Sequence, residues 1–311
     1  MELRQLRYFV AIVDHGSLSR AALVLHVAQP ALTQQLRQLE DELGVQLLHR
    51  TAQGVLGTDA GKVFYEHAQA ILKQVADAKA AVVQSAERPS GSVTLGLPHS
   101  ISGALALPLL SAIRQRYPEI TLQLTEELTG NLAEQLRSGR VNLAVLLDDG
   151  QLGGFSTTPL VEEEMRFICR ADMALAEGRE ALPLREALDT TLILPGLQHG
   201  VRPRIESTAR AAGLTARDVI EINSIAILKS AILAGMGATI LPVAPVQAEV
   251  ERGAMRALAI RDPAISRRVV LCTSRNIPLT NAAAAVGRLV AQVARELCDN
   301  DAWIGARPIG D

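Results

Sequence analysis

The amino-acid sequence predicts a multi-domain α+β protein in which a helical N-terminal region precedes a longer α/β region. Apolar residues recur at helical spacing in several segments up to about residue 87. From residue 93 onward, short apolar runs typical of strands alternate with helical segments, which favours an α/β fold with largely parallel sheets. A chain of 311 residues exceeds a single core of ordinary size, so we expect two or three domains.

Three helices are predicted before residue 44. The first covers residues 3–13, and Ser17 is placed to cap the second, which begins at Leu18. The third begins at Gln29 and Pro30, because proline is tolerated in the first turn of a helix. One face of this third helix is apolar and the opposite face is polar. The apolar face carries Leu32, Leu36, Leu39 and Leu43, and the polar face carries Pro30, Thr33, Gln34 and Arg37.

Two helices joined by a short turn, the second with a polar outer face, are typical of a helix-turn-helix that inserts into the major groove of DNA. Gln and Arg side chains can contact base edges in pairs, and Thr can contact a phosphate or a thymine methyl. An ordinary surface helix of a helical bundle fits the same pattern about equally well.

Charge does not support nucleic-acid binding. Residues 1–62 contain six Lys or Arg and six Asp or Glu, so six minus six gives a net charge of zero. The whole chain carries a formal net charge of −2. Because a basic footprint is absent, the prediction of DNA binding depends on the pattern of side chains alone.

A wing and a long helix are predicted next. Residues 45–58 read as a strand, a turn near Gln53-Gly54 and a return strand, where Arg50 contacts a phosphate or is simply a solvated loop residue. A helix then runs from Thr58 to about residue 87. Its apolar residues repeat in heptads, which predicts pairing with a second copy of the chain. They are Phe64, Ala68, Ile71, Val75, Ala78 and Val82.

Several segments together resemble the LysR-type transcriptional regulators, and the resemblance extends over the whole chain. They are residues 17–47 (SLSRAALVLHVAQPALTQQLRQLEDELGVQL), 58–61 (TDAG), 136–144 (LRSGRVNLA) and 234–242 (AGMGATILP). Leu194-Pro195 and residues 199–202 are similar to a branch that includes nitrogen-assimilation and aromatic-catabolism regulators. The sequence departs from the family at Gln34, where arginine is frequent, and at Gly57, where leucine is usual. The first departure predicts either an altered base preference or a weaker phosphate contact, and the second predicts a looser wing.

The resemblance implies a winged helix-turn-helix over residues 1–58 and a dimerising linker helix over 59–88. It also implies an effector domain like a periplasmic binding protein, with one subdomain of residues 92–161 and 267–298 and a second of residues 162–266. The expected partners are double-stranded DNA and further copies of the chain, assembled as a tetramer of two dimers, with RNA polymerase as a further candidate. The expected DNA contacts are Gln29, Pro30, Thr33, Gln34, Arg37 and Arg50.

The effector is expected between the two subdomains, at the carboxyl ends of the strands, where helix N-termini suit a small anion. The candidate effector-binding residues lie in the loops that the resemblance makes equivalent. They are Ser100, Ser102, Thr129, His199, Arg202 and Asn223. For the Ser, Thr and Asn residues, a plain helix cap is at least an equal alternative. His199 could instead lie in an exposed loop, and Arg202 could pair with a nearby acid.

An enzyme or a solute-binding protein with a helical N-terminal extension is the alternative. The chain has no G-x-S-x-G, G-x-G-x-x-G, P-loop or H-E-x-x-H motif, and its six histidines are isolated. Glu162-Glu163-Glu164 is interpreted as a solvated strand edge, and the three cysteines as reduced structural thiols. No apolar leader or membrane-spanning run is present, which predicts a cytoplasmic location. The sequence therefore predicts a DNA-binding regulator that responds to a small molecule, with no catalytic residues, no metal and no cofactor.

Overall fold

The computed structural model describes residues 1–51, 54–83, 88–148, 150, 152–197 and 199–309, with only the backbone of Arg50 and Val83. The chain divides into two compact units. The N-terminal unit comprises residues 1–83 together with 138–140, and the C-terminal unit comprises the rest of the described chain.

The N-terminal unit is a helical domain with a two-stranded wing. Its elements are α1 (Leu3–His15), α2 (Leu18–Val24), α3 (Gln29–Leu43), β1 (Leu48–Thr51), β2 (Gly54–Gly57) and α4 (Asp59–Val83). Leucine and phenylalanine side chains of α1, α3 and α4 form one core, in which the rings of Phe9 and Phe64 meet edge to face at 5.1 Å. The predicted helix-turn-helix, wing and long helix are all present.

The C-terminal unit alternates strands and helices as predicted. Its strands are β3 (Gly91–Pro98), β4 (Ile120–Glu127), β5 (Leu143–Leu147), β6 (Phe155–Glu164), β7 (Arg166–Arg170), β8 (Ala181–Pro183), β9 (Thr191–Leu194), β10 (Asp218–Glu221), β11 (Thr239–Leu241), β12 (Met255–Arg261), β13 (Ser266–Ser274) and β14 (Ala306–Pro308). Its helices are α5 (His99–Arg116), α6 (Thr129–Arg137), α7 (Leu184–Leu188), α8 (Val201–Ala211), α9 (Ile225–Leu233), α10 (Gln247–Glu251) and α11 (Asn281–Asp299).

These elements build two lobes, each around its own sheet. Lobe I has a six-stranded sheet of order β14-β6-β13-β5-β3-β4, with α5 and α11 packed on one face and α6 on the other. Lobe II has a four-stranded sheet of order β11-β7-β12-β8 and the parallel pair β10-β9. A parallel bridge between Leu192 and Ala238 connects that pair to the rest of lobe II.

The chain passes between the lobes at two adjacent points. It leaves lobe I after β6 and returns before β13, and there the amide of Met165 donates to the carbonyl of Ile265 at 2.8 Å. β6 extends to Glu164 and pairs with β13. The expected start of the second subdomain at residue 162 therefore falls inside a strand of lobe I.

The sheets are mixed rather than largely parallel as the alternation of elements predicted. β3 is parallel to β4 and β5, and β12 is parallel to β8. The pairs that involve β6, β7 and β13 are antiparallel. The reason is the double passage of the chain: β13 brings it back from lobe II and therefore runs opposite to the strands of lobe I that it joins.

Candidate DNA interface and ligand cleft

The outer face of α3 presents the polar side chains that the sequence predicted. Gln29, Pro30, Gln34 and Arg37 are exposed and Thr33 is half-buried, whereas Leu32, Leu36 and Leu39 are in the core. Leu43, expected in the same apolar stripe, is 39% exposed. It is the last residue before Gly44, whose left-handed conformation ends the helix beyond the core.

Polar contacts fix the position of α3. The hydroxyl of Ser17 accepts a hydrogen bond from the amide of Arg20, so Ser17 caps α2 as predicted. The hydroxyl of Ser19 on α2 donates to Oε1 of Gln29 at 3.0 Å. At the other end of α3, Oε1 of Glu40 accepts from the amides of Leu47 and Leu48, which begin the wing. The helix is thus fastened to its neighbours at both ends, while its polar face stays exposed.

The wing lies against the turn between α1 and α2. The amide of Val55 donates to the carbonyl of Gly16 at 2.8 Å. A Cβ on Gly54 would lie 2.4 Å from the same oxygen, and Gly54 has a φ of 133°, so only glycine fits there. β1 and β2 pair in antiparallel register from Leu48–Gly57 to Thr51–Gly54. The side chain of Arg50, a predicted phosphate contact, lies outside the part of the chain that the structure describes.

The segment Thr58–Gly61 joins the wing to α4. The hydroxyl of Thr58 donates to the carbonyl of Gln46 at 2.8 Å and accepts from the amide of Gly61 at 2.9 Å. A Cβ on Gly61 would lie 2.0 Å from the carbonyl oxygen of Leu47. This close backbone approach explains why a glycine follows the capping threonine by three positions.

A cleft with a volume of about 50 Å³ lies between lobes I and II. It lies at the carboxyl ends of β3, β4, β5, β9 and β10, where the sequence predicted ligand binding. Its walls are mainly apolar, with a few polar side chains. Four of the six predicted effector residues line it, namely Ser100, Thr129, His199 and Asn223. The prediction missed the other polar side chains of the lining, His99 and Glu127.

The other two predicted effector residues do not line the cleft. Ser102 donates to the carboxylate of Glu126 and to the carbonyl of His99. Arg202 is held by Glu206 at 2.8 Å and by Glu221 at 3.0 Å. For Arg202 the structure therefore supports the alternative, a pair with nearby acids, because two carboxylates already neutralise its charge.

Two cleft side chains are oriented by partners distant in sequence. Oδ1 of Asn223 accepts from the amide of Gly196 at 2.8 Å, which leaves the NH2 group of Asn223 as a donor. The hydroxyl of Ser100 accepts from Nη1 of Arg267 at 3.0 Å, which leaves its own proton to donate. Both side chains are therefore set to offer hydrogen-bond donors.

A buried ion pair supports Ser100 from behind. Nε of Arg267 donates to Oε2 of Glu163 at 2.7 Å, and Nη2 lies 2.6 Å from the same oxygen without hydrogen-bond alignment. Nε1 of Trp303 donates to Oε1 of Glu163 at 2.6 Å. Glu163 is 1% exposed and Arg267 is 4% exposed. The interpretation of residues 162–164 as a solvated edge was therefore wrong for Glu163, which faces the core side of β6.

His199 is 5% exposed and lines the cleft. Neither Nδ1 nor Nε2 has a hydrogen-bond partner among the described residues. Burial lowers the pKa of His199 below its usual value, the nearby His99 lowers it further, and Glu221 partly opposes the shift. The exposed-loop alternative for His199 is wrong, because the turn that follows Pro195 folds its ring inward.

Family comparisons agree with this architecture. Residues 86–295 match the LysR substrate binding domain, and residues 3–62 match the bacterial regulatory helix-turn-helix protein, lysR family. The chain belongs to the LysR family. It is therefore a DNA-binding transcriptional regulator with an effector-binding domain, which confirms the resemblance and the main function that the sequence predicted.

The relatives of the chain include regulators of different stimuli. The nitrogen assimilation regulatory protein of Klebsiella aerogenes is 40% identical over 243 residues, which cover 78% of each chain. The DNA-binding transcriptional dual regulator OxyR of Escherichia coli is 31% identical over 279 residues, covering 90% of this chain and 91% of OxyR. The nitrogen-assimilation branch to which residues 194–202 are similar is thus among the relatives.

Full-length LysR-family regulators share the fold. CbnR matches with a TM-score of 0.70 at 22% identity, covering 94% of this chain and 99% of CbnR. A structure of full-length CbnR in complex with its target DNA matches with a TM-score of 0.57. Within the described residues of our chain, no helix is long and apolar enough to cross a membrane.

Proposed function

We propose that this LysR-family regulator contacts its operator through the outer face of α3, with Gln29, Pro30, Thr33, Gln34 and Arg37, and through Arg50 in the wing. The observation that carries the proposal is the exposed polar face of α3 on a helix fastened at both ends. Such a helix can enter the major groove without moving, and its Gln and Arg side chains match base edges.

Pairing of α4 with α4 of a second chain would bring together two winged helix-turn-helix domains, which we call the reading heads. Two heptad positions of α4 are exposed apolar side chains: Ile71 is 39% exposed and Val82 is 87% exposed, whereas Ala68 is buried in the N-terminal unit. An apolar seam of this kind is buried by a second copy. We propose a dimer over residues 59–88 and, following the family, a tetramer of two dimers, with RNA polymerase as a further partner in the cytoplasm.

The cleft between the lobes is the proposed effector site, and its effector is proposed to be a small anion. Residues at the beginning of α5 and of α6 line the cleft, and α5 has no side-chain cap. Free N–H groups at helix N-termini favour negative charge. Ser100 and Asn223 add two oriented donors. Closure of the lobes on the anion would change the packing of subunits and thereby the spacing of the paired reading heads.

Ser102, Glu126 and His99 near the cleft are not arranged as a serine nucleophile with its general base. The hydroxyl of Ser102 is bonded to Glu126, and Nδ1 of His99 lies 3.4 Å from the other oxygen of the same carboxylate. In a Ser-His pair the histidine is the direct hydrogen-bond partner of the serine, whereas here the carboxylate of Glu126 stands between Ser102 and His99. This arrangement supports a binding function over the enzyme alternative.

A peroxide response, the stimulus named for several relatives, is not favoured by the cysteines. Cys169, Cys272 and Cys298 are all buried. Burial raises the pKa of Cys169 and Cys298 to about 11 and of Cys272 to about 12. Because the thiolate is the form that reacts with oxidants, these thiols are poorly suited to sensing peroxide.

Footprinting on the DNA next to the gene, with and without candidate small carboxylates, tests the proposal. The full-length chain should protect two half-sites, and a bound effector should change their spacing or the bend between them. Arg37→Ala should weaken operator binding about 5- to 150-fold while the protein stays folded, since a good base contact contributes ~1–3 kcal/mol.

The matched control is Arg217→Ala, which removes an exposed arginine of lobe II and should leave operator affinity unchanged. Equal affinities of the Arg37→Ala variant and the wild type would remove Arg37 from the proposed DNA contacts.

A further inference from the structure

The side chain of His199 has hydrogen-bonding groups that no described residue of the protein satisfies. Its ring is buried in the wall of the cleft, and both nitrogens lack a partner among the described residues. Buried polar side chains nearly always have a hydrogen-bond partner, so an exception at a binding cleft points to the ligand. The ring is held in this position by its backbone, whose amide donates to the carbonyl of Gly196 at 3.0 Å.

The protonation state of His199 defines what it can bind. Burial and the neighbouring His99 lower its pKa, which favours the neutral ring near neutral pH, against the opposing effect of Glu221. A neutral imidazole has one N–H donor and one acceptor nitrogen. A partner that satisfies the ring must therefore supply a donor as well as an acceptor.

Apart from the carboxylate of Glu127, which accepts, the cleft groups whose orientation is fixed by the protein offer hydrogen-bond donors. The oxygens of Ser100 and Asn223 each already accept one hydrogen bond from the protein, and both side chains have hydrogen atoms to offer to the cleft. The uncapped N-terminus of α5 offers backbone N–H groups. A carboxylate satisfies these donors and the N–H of His199, but it has no hydrogen for the acceptor nitrogen of His199. A ligand that satisfies the whole cleft must therefore carry two chemical groups, an acceptor for the donors of the cleft and a donor for that nitrogen of His199.

Building on the proposed effector site, we propose that the effector is a small carboxylate that carries a second group with a hydrogen atom to donate, a hydroxyl or an amine close to the carboxylate, and that this group donates to His199. The cleft volume of about 50 Å³ restricts the ligand to a compact molecule. An amine would in addition meet Glu127, whose side chain lines the same cleft, whereas a hydroxyl needs no counter-charge.

Acids that differ only in the second group measure the contribution of that group separately from that of the carboxylate. Binding to the full-length chain is measured by calorimetry for propanoate, 2-hydroxypropanoate and 2-aminopropanoate, and for succinate with its 2-hydroxy and 2-amino derivatives. We expect the hydroxy or the amino acid of at least one series to bind about tenfold more tightly than its parent acid, as one well-made hydrogen bond in a buried site allows. Comparing the affinities of the hydroxy and amino acids shows which of the two donor groups the site binds.

Variants of His199 test whether the imidazole ring causes the preference for the hydroxy or amino acid over its parent acid. In His199→Leu, the advantage of the substituted acid over its parent should disappear, and in His199→Gln, which keeps a donor and an acceptor, part of it should return. An equal preference in wild type and His199→Leu would overturn the proposal. Binding of the parent and substituted acids with equal affinity would overturn it too, while leaving an anionic effector in place; no binding by any acid would count against both.

The unliganded protein provides a second readout. Replacing an unpartnered buried ring by an apolar side chain removes a desolvation cost, so His199→Leu should raise the Tm by about 2 °C. A lowered Tm in the absence of ligand would show that the ring is already bonded within the protein and would overturn the proposal.

Discussion

The two surfaces proposed to carry the function of this regulator differ in how they hold their polar side chains. On α3, Gln34 and Arg37 are exposed and present their polar groups to solvent. In the cleft, Ser100 and Asn223 are bonded to Arg267 and Gly196, which lie far away in the sequence. A DNA duplex supplies its own rigid array of partners, whereas a small ligand does not, so a cleft has to be organised in advance.

This difference has an energetic consequence. A side chain on the α3 face can be replaced with little effect on folding, because its polar groups are hydrated in the free protein. A side chain in the cleft or behind it takes part in the fold, so its replacement changes stability and binding together. The predictions below test this separation.

The largest effect is expected for the ion pair behind the cleft. Glu163→Gln leaves the guanidinium of Arg267 buried without its counter-charge, which should lower the free energy of unfolding of the C-terminal unit by about 3–5 kcal/mol. Urea denaturation followed by the fluorescence of Trp303 measures it, because this is the one tryptophan of the chain.

Glu164→Gln, one residue further on β6, is the control. Glu164 is exposed and pairs with Arg166 at 3.0 Å, so its loss should cost less than about 1 kcal/mol. Equal costs for the two substitutions would contradict the view that a buried network supports the cleft.

A smaller loss of stability is expected where the wing joins α4. Gly61→Ala places a Cβ 2.0 Å from the carbonyl oxygen of Leu47, which should lower the stability of the N-terminal unit by about 1–3 kcal/mol. Gly57→Ala adds a methyl group whose nearest neighbours lie at 3.8 Å, so it should be nearly neutral. Thermal melting followed by circular dichroism compares the two. Identical melting curves would show that the backbone shifts to accommodate the alanine at Gly61.

A still smaller difference in stability is expected between one substitution in the cleft and one on the outer face of α3. Asn223→Ala removes the acceptor of the Gly196 amide and should cost about 1 kcal/mol, along with effector affinity. Gln34→Ala should change stability by less than about 0.5 kcal/mol but reduce operator affinity. The check is to measure unfolding and operator binding on both variants. A loss of stability in Gln34→Ala as large as in Asn223→Ala would remove the distinction between the surfaces.

The smallest expected signal concerns the cysteines. At pH 8, a thiol whose pKa is raised to about 11, as for Cys169, is ionised to only about one part in a thousand, so the native protein should react very slowly with a thiol-specific disulfide reagent. All three thiols should react rapidly once the chain is unfolded in urea. A Ser207→Cys variant, altered at an exposed position of α8, provides the reactive control. If any of the three thiols reacted quickly with the reagent in the folded protein, a redox-sensing function would again have to be considered.

Prediction from the sequence succeeded where local pattern decides structure. The leucine spacing of α3, the cap at Ser17 and the heptads of α4 depend on neighbours a few positions apart, and the predicted elements are present. It failed where a contact joins distant segments. Arg267 and Arg268 are adjacent on β13, yet one is buried against Glu163 and the other is exposed, and no local pattern distinguishes them.

The C-terminal segment provides a further example. The sequence analysis ended the first subdomain at residue 298, whereas the lobe continues into Trp303, which is buried, and into β14, which pairs with β6. A three-residue strand is too short to show a period, so only its partner makes it recognisable.

The sequence alone determined the helices of the N-terminal unit, the wing strands and the α/β character of the remainder, because each follows from the period of its apolar residues and from caps and turns. It also placed Ser100, Thr129, His199 and Asn223 after strands, where ligands bind. Only the tertiary structure decided which side chains are donors, that Arg202 is paired with two acids and that both nitrogens of His199 lack a partner among the residues that the structure describes. Hydrogen bonding and desolvation depend on groups brought together from distant parts of the chain, and these meet only when the lobes have folded.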